Sequence, residues 1–241
     1  MSKKTCIIVP CYNEAERLDA RAFLDYLACE TDIDYCFVND GSTDATAELL
    51  QNLNDIGCGR IHVVDAPVNG GKAEAVRLGV NYAVELNKYD LIGFMDADLA
   101  TPLEEMSRLK DEFYSCYVAV IGSRIKRLGA AIDRKLMRHY TGRLFATAVS
   151  FLFRFNAYDT QCGAKIFDVR MADLIFKEKF ISKWLFDVEL LLRIQNAGRL
   201  KEVKEIPLNI WTEQGGSKIK FVHLLRIPRD LLRIYFKNKR R

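Results

Sequence analysis

The sequence predicts an α/β fold, a mainly parallel sheet flanked by helices, and three observations carry that expectation. Short apolar runs alternate with helix-length segments through the first half of the chain. Those runs are apolar at consecutive positions, the pattern of strands buried on both faces. Three of them end in polar clusters rich in Asn, Asp and Glu, at the kind of edge where open α/β sheets place their ligands.

In order, residues 5–9, 35–38, 60–64, 91–95 and 118–121 read as strands. Residues 15–28, 44–54, 72–85 and 103–114 read as the helices between them. Repeated βα units imply parallel pairing. Pro102 suits the first turn of its helix, where a missing N–H is no loss. In Asp40-Gly41-Ser42-Thr43-Asp44, Gly41 permits a tight turn and Ser42 or Thr43 can cap the next helix. The second half is less regular. Residues 134–155 form a long aromatic-rich helical stretch, 159–163 a loop, and 183–197 another helix that stops at Gly198. Short strands are expected at 203–206 and 208–211, and Gly215-Gly216 precedes a basic tail. The later segments are expected to cover the ligand edge. The division is then a catalytic domain over 1–216 and a basic amphipathic segment over 217–241 that is not an independent domain.

At 241 residues, 49% hydrophobic and 28% charged, the chain suits one globular domain and not a disordered or membrane-embedded one. Its net charge of +4 conceals an asymmetry: residues 217–241 hold nine Lys/Arg and one Asp, leaving 27 basic and 31 acidic groups elsewhere. Basicity that local argues against a nucleic-acid-binding body and for an anionic partner at the C-terminal segment. The seven cysteines (Cys6, Cys11, Cys29, Cys36, Cys58, Cys116 and Cys162) include no Cys-x-x-Cys pair and read as buried hydrophobes in a reducing cytoplasm. Nothing at the N-terminus resembles a signal peptide, and no apolar stretch approaches the ~20 residues a membrane span needs.

Asp96-Ala97-Asp98 is the sharpest chemical signal, two carboxylates delivered by the apolar run that precedes them. Alone, it reads more readily as an acidic turn at a strand end. Beside Pro10-Cys11-Tyr12-Asn13-Glu14 and Asn39-Asp40-Gly41-Ser42-Thr43-Asp44 it describes a nucleotide site: acids and amides for base and ribose, then carboxylates for a hard cation at the diphosphate. Asn69-Gly70-Gly71-Lys72 lacks the spacing of a nucleotide-triphosphate loop, since Ala73 stands at its hydroxyl position. Lys72 is either a phosphate ligand or a solvated lysine at a helix start. In the tail, Phe221, Leu224, Leu225, Pro228, Leu232, Tyr235 and Phe236 follow helical spacing, with Arg226, Arg229, Arg233, Lys237 and Arg240 on one flank. That pattern predicts an amphipathic helix lying on an anionic membrane surface, or else a helix docked on the domain.

Taken together, "IIVPCYNEAERL", "FVNDGSTDAT", "NGGKAEAVRLG", "FMDADLATP" and "IGSR" resemble the inverting family 2 glycosyltransferases with the glycosyltransferase A-type fold. "DTQCGAKIF", "KWLFDVELL" and "WTEQGGSK" resemble the polyprenyl-phosphate sugar transferases, most closely the dolichyl-phosphate β-glucosyltransferase group. The resemblance implies that Pro10, Asn13, Glu14 and Asp40 line the nucleoside pocket of a nucleotide-sugar donor. Asp96 faces the ribose or diphosphate, and Asp98, with Asp96, holds Mg²⁺ or Mn²⁺. Arg124 and, on a looser alignment, Arg138 meet phosphate. Asp159 and Gln161 lie by the sugar, and Ser217 and Lys218 close over the diphosphate. Two positions depart from the mannosyl relatives, Ala100 where they often carry a glutamine metal ligand and Thr212 where they carry an arginine. Both favour UDP-glucose over GDP-mannose.

Chemistry sharpens the expectation. A polyprenyl-phosphate acceptor is already anionic, with a second pKa of about 6, and so needs no catalytic base. It needs cations to bring two anions together. Asp187 and Glu189 are the residual candidates for a base, with a structural role the alternative. A peripheral enzyme at the cytoplasmic membrane face is the expected reading. A GDP-mannose donor, a saccharide acceptor, or a silent nucleotide-sugar binder remains open from sequence.

Overall fold

The fold is described from a computed structural model over residues 3–134, 136–214 and 227–239, leaving aside the side chains of 136–139, 227–228 and 238–239. In chain order the elements are β1 (Thr5–Cys11), α1 (Ala20–Cys29), β2 (Ile33–Asp40), α2 (Thr46–Ile56), β3 (Ile61–Ala66), α3 (Lys72–Glu85), β4 (Leu91–Phe94), α4 (Leu103–Asp111) and β5 (Ala119–Ser123). The second half adds β6 (Ala131–Asp133), α5 (Leu136–Phe153), β7 (Lys165–Asp168), α6 (Val169–Phe176), α7 (Phe186–Asn196), β8 (Val203–Pro207), β9 (Ile210–Thr212) and α8 (Ile227–Lys239).

The first-half elements fall where the apolar runs put them, with two local differences. Residues 15–19 are not helical. The Glu14 carbonyl accepts from Arg17 and Leu18, closing a separate turn, and Asp19 Oδ1 then caps α1 by accepting the Ala22 N–H at 3.0 Å. Asp44, rather than Ser42 or Thr43, secures the start of α2, accepting the Thr46 N–H at 3.0 Å. Gly198, at φ +74, ends the α7 region in the left-handed conformation that glycine favours.

Seven strands form one sheet in the order β3-β2-β1-β4-β7-β5-β8. β7 runs antiparallel to both β4 and β5; every other neighbouring pair is parallel. β6 and β9 make a small parallel pair of their own. The later strands therefore extend the sheet as well as cover its edge.

Both sheet faces are buried, as the continuous apolar strands require. On one face Ile7, Val9, Tyr35 and Phe37 meet Phe23 of α1, Leu50 of α2 and Met106 of α4. On the other, Ile8, Val38, Phe94 and Phe167 meet Val76 of α3, Phe176 of α6 and Leu190 of α7. A third cluster joins Val149 and Phe153 of α5, Val188 of α7 and Ile234 of α8. Four of the seven cysteines are buried, as expected; Cys29, Cys58 and Cys116 are exposed, and none of the seven is in a disulfide.

Candidate active site

The C-terminal ends of β1, β2 and β4 open on one edge, and their loops are laced together. Asn13 turns the chain at φ +51. Its Oδ1 accepts the Thr43 N–H at 2.9 Å, while its own N–H donates to Ser42 Oγ at 3.1 Å. The Glu14 N–H donates to Thr46 Oγ1 at 2.8 Å. Asp40 is buried, and its two carboxylate oxygens accept the N–H groups of Gly70 and Gly71 at 2.7 and 2.8 Å. A Cβ on Gly41 would sit 2.6 Å from the Asn69 nitrogen, so only glycine lets the two loops approach this closely. Asp40 thus anchors the glycine loop, which leads into α3 and brings Lys72 to the Asp96 carboxylate.

Asp96 and Asp98 follow β4 at the floor of this edge. Burial works against the Asp96 charge, but Lys72, then Arg124 and Lys165, hold its carboxyl below the ordinary range. Burial, followed by the neighbouring Asp96 charge, pushes Asp98 up. Asp98 Oδ1 accepts the Ala100 N–H at 3.1 Å, and Arg17 Nη2 lies 3.9 Å from Oδ2. Arg17 also reaches Glu14 Oε2 at 3.7 Å, tying the first loop to the acidic pair. Directly after Asp98, Leu99 sits at φ +53, a conformation uncommon for a branched side chain and therefore strained.

The far wall is built by the loop before β7. Lys165 is fully buried, its Nζ donating to the carbonyls of Thr160 (3.2 Å) and Cys162 (2.6 Å) and to Asp187 Oδ1 (2.5 Å). This pins residues 160–163 against Asp96: a Cβ on Gly163 would lie 2.2 Å from Asp96 Oδ2. Arg124, at the end of β5, grips Asp159 through Nε (2.6 Å) and Nη2 (2.8 Å), and its guanidinium lies 5.3 Å from the Trp211 ring centre. Burial opposes the Asp159 charge, but Arg124 holds that carboxyl well below the usual range. Gln161 Nε2 is buried with no hydrogen-bond partner among the described residues.

The fold therefore gathers Asn13, Glu14, Asp40, Lys72, Asp96, Asp98, Arg124, Asp159 and Gln161 around one edge, with Pro10 on β1 opposite Val38. Arg124, expected to meet phosphate, has two of its nitrogens on the Asp159 carboxylate. Glu189 accepts from the Ile181 N–H at 2.8 Å and from Arg193 at 2.9 Å, and Asp187 is held by Lys165, so both α7 acids have structural partners. The Arg138 side chain, Ser217 and Lys218 lie outside the described residues. Sequence reasoning missed Arg17, Gly163 and Lys165. A lone lysine inside the apolar run Ala164–Phe167 was the available signal for the last, because a buried ammonium demands a partner.

The same residues carry the comparison with known proteins. Residues 6–180 match the glycosyl transferase family 2. The chain belongs to that family. A dolichyl-phosphate beta-glucosyltransferase of Trichomonas vaginalis is 32% identical over 249 residues, covering 97% of this chain and 72% of the relative. Its namesake in Homo sapiens is 30% identical over 248 residues, covering 96% and 74%. Among solved structures, a glucosyl-3-phosphoglycerate synthase from Mycobacterium tuberculosis, in complex with Mn²⁺, UDP and glucosyl-3-phosphoglycerate, superposes with a TM-score of 0.70. At 14% identity, over 98% of this chain and 80% of that one, this likeness speaks for the fold.

As a family 2 glycosyltransferase the chain presents a sparse acidic pair. Among the described residues no group of three or more His, Cys, Asp or Glu side chains converges as a metal cage. Asp96 and Asp98 nevertheless fit a hard divalent cation, because two neighbouring carboxylates repel each other and oxygen is the preferred donor. The two departures noted in the sequence are neighbours in this glycosyltransferase: the Thr212 N–H donates to the Ala100 carbonyl at 3.0 Å.

Proposed function

We propose that this glycosyltransferase moves glucose from UDP-glucose to a polyprenyl phosphate at a membrane surface, with inversion at the sugar C1. One observation carries the acceptor class. Asp187 and Glu189, the α7 acids available to deprotonate an alcohol, are held by Lys165 and Arg193. A site so arranged suits a nucleophile that arrives already ionised, as a phosphate monoester does. The names of the curated relatives support the same acceptor and sugar.

In this reading the loops after β1 and β2 hold the nucleoside, and Lys72 and Arg17 stand beside the acids that face the diphosphate. Asp96 and Asp98 would hold Mg²⁺ or Mn²⁺, which when bound neutralises charge on the departing UDP. An oxygen of the acceptor phosphate attacks C1, the bond from C1 to the β-phosphate oxygen breaks, and its electron pair leaves with UDP. No proton has to be removed. Gln161, with its unpartnered amide, is placed to donate to a sugar hydroxyl.

Two helices supply the surface. On α5, Tyr140, Leu144 and Phe151 (89% exposed) share one face by their spacing. On α8, Leu232 and Phe236 are exposed beside Arg229, Arg233 and Lys237. α8 also docks on the domain: Ile234 is buried, Ser182 Oγ donates to Asp230 Oδ2 at 2.8 Å, and Tyr235 lies 6.2 Å from Phe153 of α5. One side of the helix is docked, as the second sequence expectation has it, and the other presents the apolar and basic groups that would meet an anionic membrane; Phe221, Leu224, Leu225, Arg226, Arg240 and the Pro228 side chain lie outside the described residues. Among the described residues no helix is long and apolar enough to cross a membrane.

Purified protein with Mn²⁺, labelled UDP-glucose or GDP-mannose, and a short polyprenyl phosphate tests the reading. Glucosyl-lipid from UDP-glucose is expected. Product from GDP-mannose alone would overturn the donor, and none from either would overturn the acceptor. Asp98→Ala is expected to abolish transfer while leaving the melting temperature near that of the parent protein.

A further inference from the structure

Glu205 lies on β8, in register with Ile121 of β5. Its carboxylate closes on two successive backbone groups: Oε1 accepts the Asp159 N–H and Oε2 the Tyr158 N–H, both at 2.8 Å. Tyr158 is held from the other side as well. Its carbonyl accepts from Arg143 Nη1 of α5 at 3.0 Å, and its ring centre lies 3.6 Å from that guanidinium. Burial pushes the Glu205 carboxyl above the ordinary range, against the pull of the two N–H groups. The neighbouring Lys204 turns instead to Glu112, at 2.9 Å, and among the described residues Glu205 makes no ion pair.

The same device stands on the other side of Asp96. There Asp40 accepts two successive N–H groups, those of Gly70 and Gly71, and so brings Lys72 to the Asp96 carboxylate. Here Glu205 fixes the backbone of Asp159, whose side chain accepts from Arg124 Nε at 2.6 Å, Nη2 at 2.8 Å and the Arg124 N–H at 3.2 Å. Arg124 in turn is close enough to help hold the Asp96 carboxyl below its ordinary range. An ionised acceptor binds N–H groups more tightly than water or a neutral oxygen does, so a half-buried carboxylate without a cation fixes this peptide firmly, at the cost of its own desolvation. We infer that Glu205 is a positioning residue for sugar transfer: by clamping Tyr158 and Asp159 it sets where the Arg124 guanidinium stands beside Asp96. It acts through Asp159 and touches no reacting atom. The assignment rests on the reaction proposed above.

The test measures transfer with UDP-glucose, Mn²⁺ and a short polyprenyl phosphate, well below the melting temperature of each variant, alongside UDP affinity by calorimetry. Glu205→Gln leaves one acceptor oxygen for two N–H groups. Glu205→Asp keeps the charge but withdraws it by one methylene. Both are expected to lower kcat roughly 10- to 100-fold, the scale of an ångström-sized misplacement, with the KM for UDP-glucose and the UDP affinity unchanged. In an Asp159→Asn background Glu205→Gln should cost little more, because residues that act through one another are not additive. Independent multiplication of the two losses, an equal loss of UDP affinity, or parental kcat in both Glu205 variants would each overturn the assignment. Trp211, whose ring centre lies 5.3 Å from the Arg124 guanidinium, gives a readout that needs no turnover. In a Trp184→Phe background, where Trp211 is the one remaining tryptophan, Glu205→Gln and Asp159→Asn are expected to shift its emission alike. An emission that Glu205→Gln leaves unmoved would overturn the assignment. A shifted emission in a protein that makes no glucosyl-lipid would instead retain the clamp and remove the proposed reaction.

Discussion

Gly163 has room for hydrogen alone because the Asp96 carboxylate occupies the place of a side chain. Gly163→Ala therefore forces the flexible end of Asp96 to turn. The expected result is a fall of roughly 100-fold in kcat/KM, the scale of an ångström-sized misplacement, with little change in melting temperature; unaltered transfer would show that Asp96 has freedom to spare. Asp34 lies at the opposite end of the sheet and controls stability instead. Burial opposes its charge, but Lys4 at 2.6 Å, Tyr89 at 3.0 Å and Arg60 at 3.2 Å hold its carboxyl below the ordinary range. The unfolded chain then takes up this proton first as pH falls. Its stabilisation is complete above the unfolded value of about 3.9 and is lost as pH drops through the lower folded value. Asp34→Asn should cost roughly 3 kcal/mol at neutral pH and flatten the acid limb of urea-unfolding stability, and an acid limb of parental slope would exclude the role. At this scale the acids of the site were legible, because Asp96-Ala97-Asp98 follows an apolar strand. Their supports were not: whether Asp40 touches ligand or clamps Gly70 and Gly71 depends on where a distant loop folds.

Among elements, α8 does two things with two faces. Ile234 sits in the third apolar cluster, whereas Leu232 and Phe236 are 52% and 60% exposed. Leu232→Glu combined with Phe236→Glu should reduce pelleting with anionic vesicles roughly tenfold or more and leave thermal stability intact. Equal pelleting would assign membrane binding elsewhere. Ile234→Ala should cost about 2–4 kcal/mol by leaving a cavity, visible as early loss of α8 protection in hydrogen exchange; uniform protection would show that the helix is held by other contacts. The βα alternation made the first-half elements readable. β7 and α6 were missed because residues 164–176 form one largely apolar run, and only the Asp168 side chain, accepting the Arg170 N–H at 3.0 Å, punctuates it.

For the whole molecule, β1, β2 and β3 pair in parallel through local βα connections, which is why fold class could be read from the chain, while β4 crosses back to lie beside β1. The antiparallel insertion of β7 between β4 and β5 could not, since Phe94 pairs with Lys165, a residue distant in the chain and beyond β5, β6 and α5. The same insertion sets an order of assembly. Strands β1, β2 and β3 pair with their chain neighbours and can come together early, whereas β4 joins β1 by a long-range pairing of Thr5 with Leu91, and β5 gains its link to β4 only once β7 arrives later in the chain. Because Lys165, Gly163 and the Asp159 loop travel with β7, a refolding chain should recover affinity for UDP before it recovers the ability to use an acceptor. Stopped-flow refolding with the two readouts in parallel would show a lag between them, and simultaneous recovery would mean that both halves condense in a single step. The edge formed by the loops after β1 and β2 is then the older event in the life of each molecule, and the wall carried by β7 is closed over it last.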